Sequence, residues 1–150
     1  MLLTSSAFGA GEMIPTQYSC DGKNVSPPLS WTYVPGGTKS LALICDDPDA
    51  PGGTWVHWVL FNLPAEAAGI PEQVPPLRSL ENGAGQGIND FRRIGYGGPC
   101  PPGGTHRYYF KLYALDSFLE SDPGITKNEL LEIMDTHILA ETELMGRFRR

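Results

Sequence analysis

A mainly β domain is the fold class that this sequence predicts, with one helix close to the C-terminal end. Three observations lead there. Apolar runs are short and separated by turn formers, with 18 glycines and 14 prolines spread through 150 residues instead of gathered in one linker. The run His106 to Leu115 keeps the period of a strand, with His106, Tyr108, Phe110 and Leu112 on one face and Arg107, Tyr109 and Lys111 on the other. A single segment, Thr126-x-x-Glu129, has the capping-box form that opens a helix.

The elements follow in order. An edge strand is expected around Leu2 to Phe8, then irregular chain to Tyr18. Asp21-Gly22 turns the chain, and the Pro27-Pro28 pair must be extended as it leads into a strand at Trp31. Trp31 to Val34 and Leu41 to Cys45 flank Pro35-Gly36-Gly37, which reads as a hairpin. Leu41 to Cys45 is apolar on both faces and should be a central, covered strand that delivers Asp46 and Asp47 to the sheet rim. Thr54 to Leu63 is the next strand, ended at Asn62-Leu63-Pro64. From Ala65 to Arg93 prolines and glycines forbid a long element, beyond a helical turn at 65–68. Gly83-Ala84-Gly85-Gln86-Gly87 lacks the spacing and the preceding strand of a nucleotide loop. After the last strand, His106 to Leu115, the capping box opens a helix from Thr126 to Met145. Leu131, Met134, Ile138 and Met145 form its stripe, and Gly146 its C-cap.

No internal repeat or interdomain linker is visible, so residues 1–150 read as one domain with one sizeable core. No apolar run approaches the roughly 20 residues that span a bilayer. The first residues lack the basic start and apolar stretch of a secretory signal, and a cytoplasmic location is expected. With 11 Lys+Arg against 17 Asp+Glu the net charge is −6, which repels a phosphate backbone and argues against a nucleic-acid partner. Of three cysteines, Cys45 ends an apolar run and reads as a buried thiol. Cys20 and Cys100 lie in loops, and whether they pair is open. Asn24-Val25-Ser26 has the form of a glycosylation acceptor, which means little without a secretory signal.

Two stretches carry the chemistry. Asp46-Asp47-Pro48-Asp49-Ala50-Pro51-Gly52-Gly53 crowds three carboxylates into a proline-locked turn, and such a turn needs a cationic or hydrogen-bond-donating partner. His57 is the nearest one. The chain leaves the turn as a strand with Trp55 and His57 on one face and Val56 and Trp58 on the other. Gly97 to Tyr108 repeats the design, a stiff Pro/Gly loop feeding a strand that opens with His106.

Asp47, His57, His106 and Tyr108 admit several chemistries. Two histidines and a carboxylate suit zinc or iron by type, but nothing local enforces that geometry, and no metal or other cofactor is expected. Asp47-x-Asp49 begins like a calcium loop, yet Pro51 and Trp58 fall where ligands are needed. No Gly-x-Ser-x-Gly elbow offers a nucleophile. No catalytic residue is assigned, and a general acid or base at either histidine would need a reacting group that the sequence does not show. The remaining reading is an anion pocket. Imidazole N–H groups, the Tyr108 hydroxyl and loop amides donate to a phosphate, while Asp47 orients a histidine.

Asp47-Pro48-Asp49-Ala50-Pro51, Trp55-x-His57-Trp58, Gly98-Pro99-Cys100-Pro101-Pro102 and His106-Arg107-Tyr108 together resemble the signature of the phosphatidylethanolamine-binding protein family, also called the Raf kinase inhibitor protein family. Ser26-Pro27-Pro28-Leu29-Ser30-Trp31 is similar to its N-terminal motif, so the likeness runs from about residue 18 to 116. The compact length and the GPCPP form look like its prokaryotic branch. The resemblance implies an antiparallel Greek-key β-sandwich with peripheral helices. It implies a small anion cavity with Asp47, Pro51, Trp55, His57, Pro102, His106 and Tyr108 at matching positions. It also implies a partner that is a phosphate-bearing small molecule or phospholipid headgroup. The rival partner is a serine protease or kinase inhibited by direct contact, a role that the shorter second loop and different C-terminal region disfavour for kinases. Monomer or homodimer is left open.

Overall fold

Leu41 to Cys45 lies near the middle of the larger of two sheets, in a computed structural model that describes residues 1–150. The strands are β1 (Leu2–Thr4), β2 (Leu29–Thr32), β3 (Ser40–Asp47), β4 (Trp55–Pro64), β5 (Gly69–Ile70), β6 (Gly85–Gln86), β7 (His106–Leu115) and β8 (Ile138–Phe148). One α-helix, α1 (Lys127–Met134), lies between β7 and β8. The small sheet has the order β1-β2-β5 and the large one β6-β4-β3-β7-β8, with every pairing antiparallel. In the large sheet β3, β4 and β6 follow one another, and β7 returns over a long connection to lie beside β3. That order is a Greek key.

All eight residues of β3 are buried, because the large sheet is covered on both faces. Leu41, Leu43 and Cys45 face the core shared with the small sheet, while Ala42 and Ile44 face a second core beneath α1. The alternation continues into the acidic residues and separates them. Asp46 goes to the helix side, where it is 2% exposed and accepts from Lys127 Nζ at 2.7 Å and Lys111 Nζ at 3.4 Å. Asp47 goes to the other side, at the end of the sandwich core. A buried carboxylate without such partners would carry a large desolvation cost.

The capping box forms as the sequence predicts: Thr126 Oγ1 accepts from Glu129 N at 3.2 Å, and Glu129 Oε1 accepts from Thr126 N at 3.0 Å. Leu130 and Met134 then anchor α1 on the second core. Replacing Thr126 by Ala removes the cap, and chemical denaturation should show a loss of about 1 kcal/mol.

Five expectations need correction. The helix ends at Met134 and not at Met145, because residues 138–148 pair with β7 from Leu115↔Ile138 to His106↔Phe148 and bury Leu144 and Phe148 as a strand. Gly146 is therefore a strand residue opposite Tyr108 and not a helix cap. Pro35-Gly36-Gly37 does not close a hairpin: β2 belongs to the small sheet and β3 to the large one, so the turn carries the chain between layers. The first strand stops at Thr4, and Phe8 is buried in the core outside any strand. Val56 and Trp58 do not share a face either, as the site makes clear. No helix is long and apolar enough to cross a membrane.

Candidate functional site

The acidic turn after β3 is fixed by its own carboxylates. Asp47 Oδ1 accepts from the Asp49 amide at 2.7 Å, a local turn that aims Oδ2 across the end of the sheet. Oδ2 meets His106 Nδ1 at 2.7 Å, and both side chains are buried. The carboxylate's partner is thus the histidine of β7 and not the nearer His57. Asp49 forms a two-pronged pair with Arg107, with Nη2 donating to Oδ1 at 2.8 Å and Nε to Oδ2 at 2.9 Å. The guanidinium holds the Asp49 carboxyl at about 2, and the pair clamps the acidic turn to the start of β7 on the solvent side.

His57 reaches the same place through a bulge. Against β3, Cys45 pairs with Trp58 but Asp46 pairs with Val56, which leaves His57 as the extra residue. An extra residue in one strand re-aims its side chain. Val56 consequently packs in the core beneath α1, Trp58 in the sandwich core, and His57 into the space between Asp47 and Tyr108. Its ring lies edge-on to Tyr108 with centroids 5.2 Å apart. His57 and Gly97 bond reciprocally: Gly97 N donates to the His57 carbonyl at 2.9 Å, and His57 Nδ1 donates to the Gly97 carbonyl at 2.6 Å.

These bonds decide where the imidazole protons are. Each Nδ1 meets a group that only accepts, a carbonyl at His57 and a carboxylate at His106, so each Nδ1 carries the hydrogen. Neither Nε2 has a partner within the protein. In a neutral ring Nε2 accepts; it donates only as imidazolium. Burial pushes the His57 value below the ordinary one, with nearby carboxylates opposing that shift.

The four side chains open on a cavity of about 210 Å³ at one end of the sandwich. Among them the Tyr108 hydroxyl stands out. It is buried and has no hydrogen-bond partner. Burial and then the Asp47 charge raise its pKa, so it stays protonated as a donor, while Asp47 lies outside hydrogen-bonding geometry. An orphaned buried hydroxyl costs about 1–3 kcal/mol unless something occupies the space before it.

The sequence profile of the phosphatidylethanolamine-binding protein family matches residues 4–149 of the chain. The chain belongs to this family. A UPF0098 protein of Methanothermobacter thermautotrophicus is 54% identical over 150 residues, covering 100% of this chain and 99% of the relative. A UPF0098 protein of Chlamydia trachomatis is 46% identical over 155 residues, covering 100% and 99%. Two crystal structures superpose on the whole fold. One, described as a candidate phosphatidylethanolamine-binding protein homologue from Chlamydia trachomatis, gives a TM-score of 0.91 at 46% identity, with 99% of this chain and 96% of that one covered. The other, the E. coli protein YbcL, described as a new member of the mammalian family, gives 0.90 at 36% identity, with 99% and 97% covered.

In this family member the seven residues picked out by the sequence, Asp47, Pro51, Trp55, His57, Pro102, His106 and Tyr108, all line the one cavity. The sequence missed Ala50, Phe91, Cys100 and Pro101. Ala50, Cys100 and Pro101 sit inside the two motif loops and were legible by adjacency. Phe91 was not. It arrives through the 89–97 loop, which buried Asn89 shapes by accepting from Phe91 N at 2.9 Å and Arg93 N at 3.2 Å and donating to the Gly95 carbonyl at 2.9 Å. Phe91 then stands edge-on to both Trp55 and His57. Cys20 and Cys100, left open by the sequence, form a disulfide, and Cys45 is the buried free thiol. Asn24, the glycosylation match, accepts from Gly98 N at 2.7 Å and so braces the second loop.

Proposed function

We propose that this protein binds a small phosphate-bearing anion, as a free phosphate ester or a phospholipid headgroup, and catalyses no reaction on it. The orphaned Tyr108 hydroxyl carries the reading, since a buried donor without a partner, on a residue that lines the cavity, is what an acceptor-rich ligand could satisfy. The two free Nε2 atoms add donors once the rings are protonated. A cavity of about 210 Å³ is below the range of roughly 300–1,000 Å³ typical for drug-sized ligands, so it suits a headgroup and not an acyl chain. The family name fits the same chemistry. A contact inhibitor of a protease or kinase, the rival reading, would leave the Tyr108 oxygen unexplained.

Tyr108→Phe tests this in two directions at once. Removing an unsatisfied hydroxyl should raise the stability of the ligand-free protein by about 1 kcal/mol or more, while removing a donor to the anion should weaken phosphoethanolamine binding about tenfold. Thermal unfolding and calorimetry read the two effects. A variant that is less stable, or that binds as well as the parent, would rule out the hydroxyl as a ligand donor. Turnover of the phosphate ester would instead make the site catalytic.

A further inference from the structure

One wall of the cavity is Cys100, Pro101 and Pro102, and few hydrogen bonds fix the segment 100–105 that carries them. Upstream the chain is well anchored: Gly97 N donates to His57 O at 2.9 Å, Gly98 N to Asn24 Oδ1 at 2.7 Å, and Cys20 N to the Pro99 carbonyl at 3.0 Å. Downstream, His106 enters the β7 ladder. Between these anchors Pro101 and Pro102 have no N–H to give, and no residue from Cys100 to Thr105 forms a hydrogen bond with the rest of the chain. Gly103 and Gly104 follow the prolines and are exposed. One covalent bond spans this gap, the disulfide from Cys100 to Cys20. Both cysteines are only partly buried, so an attacking thiolate can approach. Neither lies in a strand or helix, so the sheets do not depend on the bond for their pairing.

We propose that the Cys20–Cys100 disulfide is a redox latch on the anion pocket: oxidised it fixes the Pro101–Pro102 wall, and reduced it lets that wall move off the cavity. The opening reaction is exchange with a dithiol. One reductant thiolate attacks a cysteine sulfur, the protein S–S bond breaks, and a mixed disulfide forms. The reductant's second thiol then displaces the protein sulfur. Two electrons and two protons pass to the protein, leaving thiols at Cys20 and Cys100 and a cyclic disulfide on the reductant. In a reducing compartment the pocket is therefore in its loose form, and in an oxidising one it is in its tight form. With the wall in place for only a tenth of the time, apparent affinity falls about tenfold.

The consequence for affinity rests on the anion-binding reading above, so the test has two separate readouts. Backbone order parameters of Gly103, Gly104 and Thr105 are measured by NMR on the oxidised protein, on the protein reduced with dithiothreitol, and on Cys20→Ser, which substitutes no residue of the cavity lining. Glycerophosphoethanolamine affinity is measured on the same three samples. Reduction and Cys20→Ser should both drop the order parameters below about 0.6 and weaken binding about tenfold, with the circular dichroism spectrum unchanged. Unchanged order parameters overturn the latch, as does global unfolding on reduction, which would make the bond a staple of the whole fold. Increased wall motion with unchanged affinity also overturns it. If the oxidised protein binds no phosphate compound at all, the anion reading fails, and the order parameters alone decide whether the disulfide governs the wall.

Discussion

Glycerophosphoethanolamine should bind about tenfold or more tightly at pH 6 than at pH 8, with uptake of protons on binding. The phosphodiester keeps a constant charge over that range, so any change belongs to the protein. Both Nδ1 hydrogens are already committed, to Gly97 O and to Asp47. Only a protonated ring can therefore donate to the ligand from Nε2. Burial lowers the His57 value below its ordinary one of roughly 6.5. The free protein thus holds His57 neutral at pH 7, and an anion that stabilises the cation must draw a proton in. The sign for stability is opposite. A histidine depressed in the folded state contributes stability that is present above the unfolded value and lost as pH falls through the folded one. Acid should therefore loosen the ligand-free protein while strengthening the complex, and ligand protection in thermal unfolding should be larger at pH 6. Calorimetry in buffers of different ionisation enthalpy counts the protons. Equal affinity at both pH values, with no buffer dependence, would mean neutral rings and an anion held by Tyr108 and its surroundings alone.

Gly98→Ala should lower stability by about 3 kcal/mol, a fall in Tm of roughly 6–12 °C, and should weaken ligand binding as well. A methyl group there would fall on the Tyr18 carbonyl oxygen and within 2.5 Å of Asn24 Oδ1. Backbone on one side and the side chain that anchors the loop on the other leave it nowhere to go. The second loop would have to lift away from the 18–24 segment that supports it. Gly103→Ala is the matched control, since nothing lies within 4 Å of its added methyl. It should stay within about 0.5 kcal/mol of the parent. If the two substitutions cost the same, the loop is not seated on Tyr18 and Asn24 as described.

Much of the site was legible because it is carried by strand ends and stiff loops. Period-two alternation in β7 placed His106 and Tyr108 on one face, and the apolar run of β3 placed Asp47 at a rim; both needed only local rules. The failures lie where a distant contact overrides a local preference. Residues 126–145 satisfy a helical stripe, yet Ala140, Thr142, Leu144, Gly146 and Phe148 also alternate with Glu141, Glu143, Met145 and Arg147. The strand wins because β7 offers a ladder along its whole length, and because Gly146 has room for Ile14 and Phe8 against it, each within 2.7 Å of where a methyl would be. That alternation was the available signal. At Pro35-Gly36-Gly37 the turn chemistry was correct but could not say which sheet each flank joins. The bulge at His57 left no mark in the sequence, since its cause is the register with β3. Hydrogen bonds of Asn89, far from any motif, similarly set where Phe91 stands.

The Greek-key order also governs when the pocket can exist during folding. Asp47 and His106 are 59 residues apart, and their contact requires β7 to dock beside β3 after β4, β5 and β6 have been passed. Contacts of such sequence separation close late, because a long loop must lose its freedom before they form. The hairpin of β3 and β4 is local and assembles without them. A chain stalled at that stage would display the acidic turn and His57 without His106, Tyr108 or the second loop. The cavity proposed to take the anion is therefore a property of the completed topology, and a nascent chain has it only when β7 has emerged and docked.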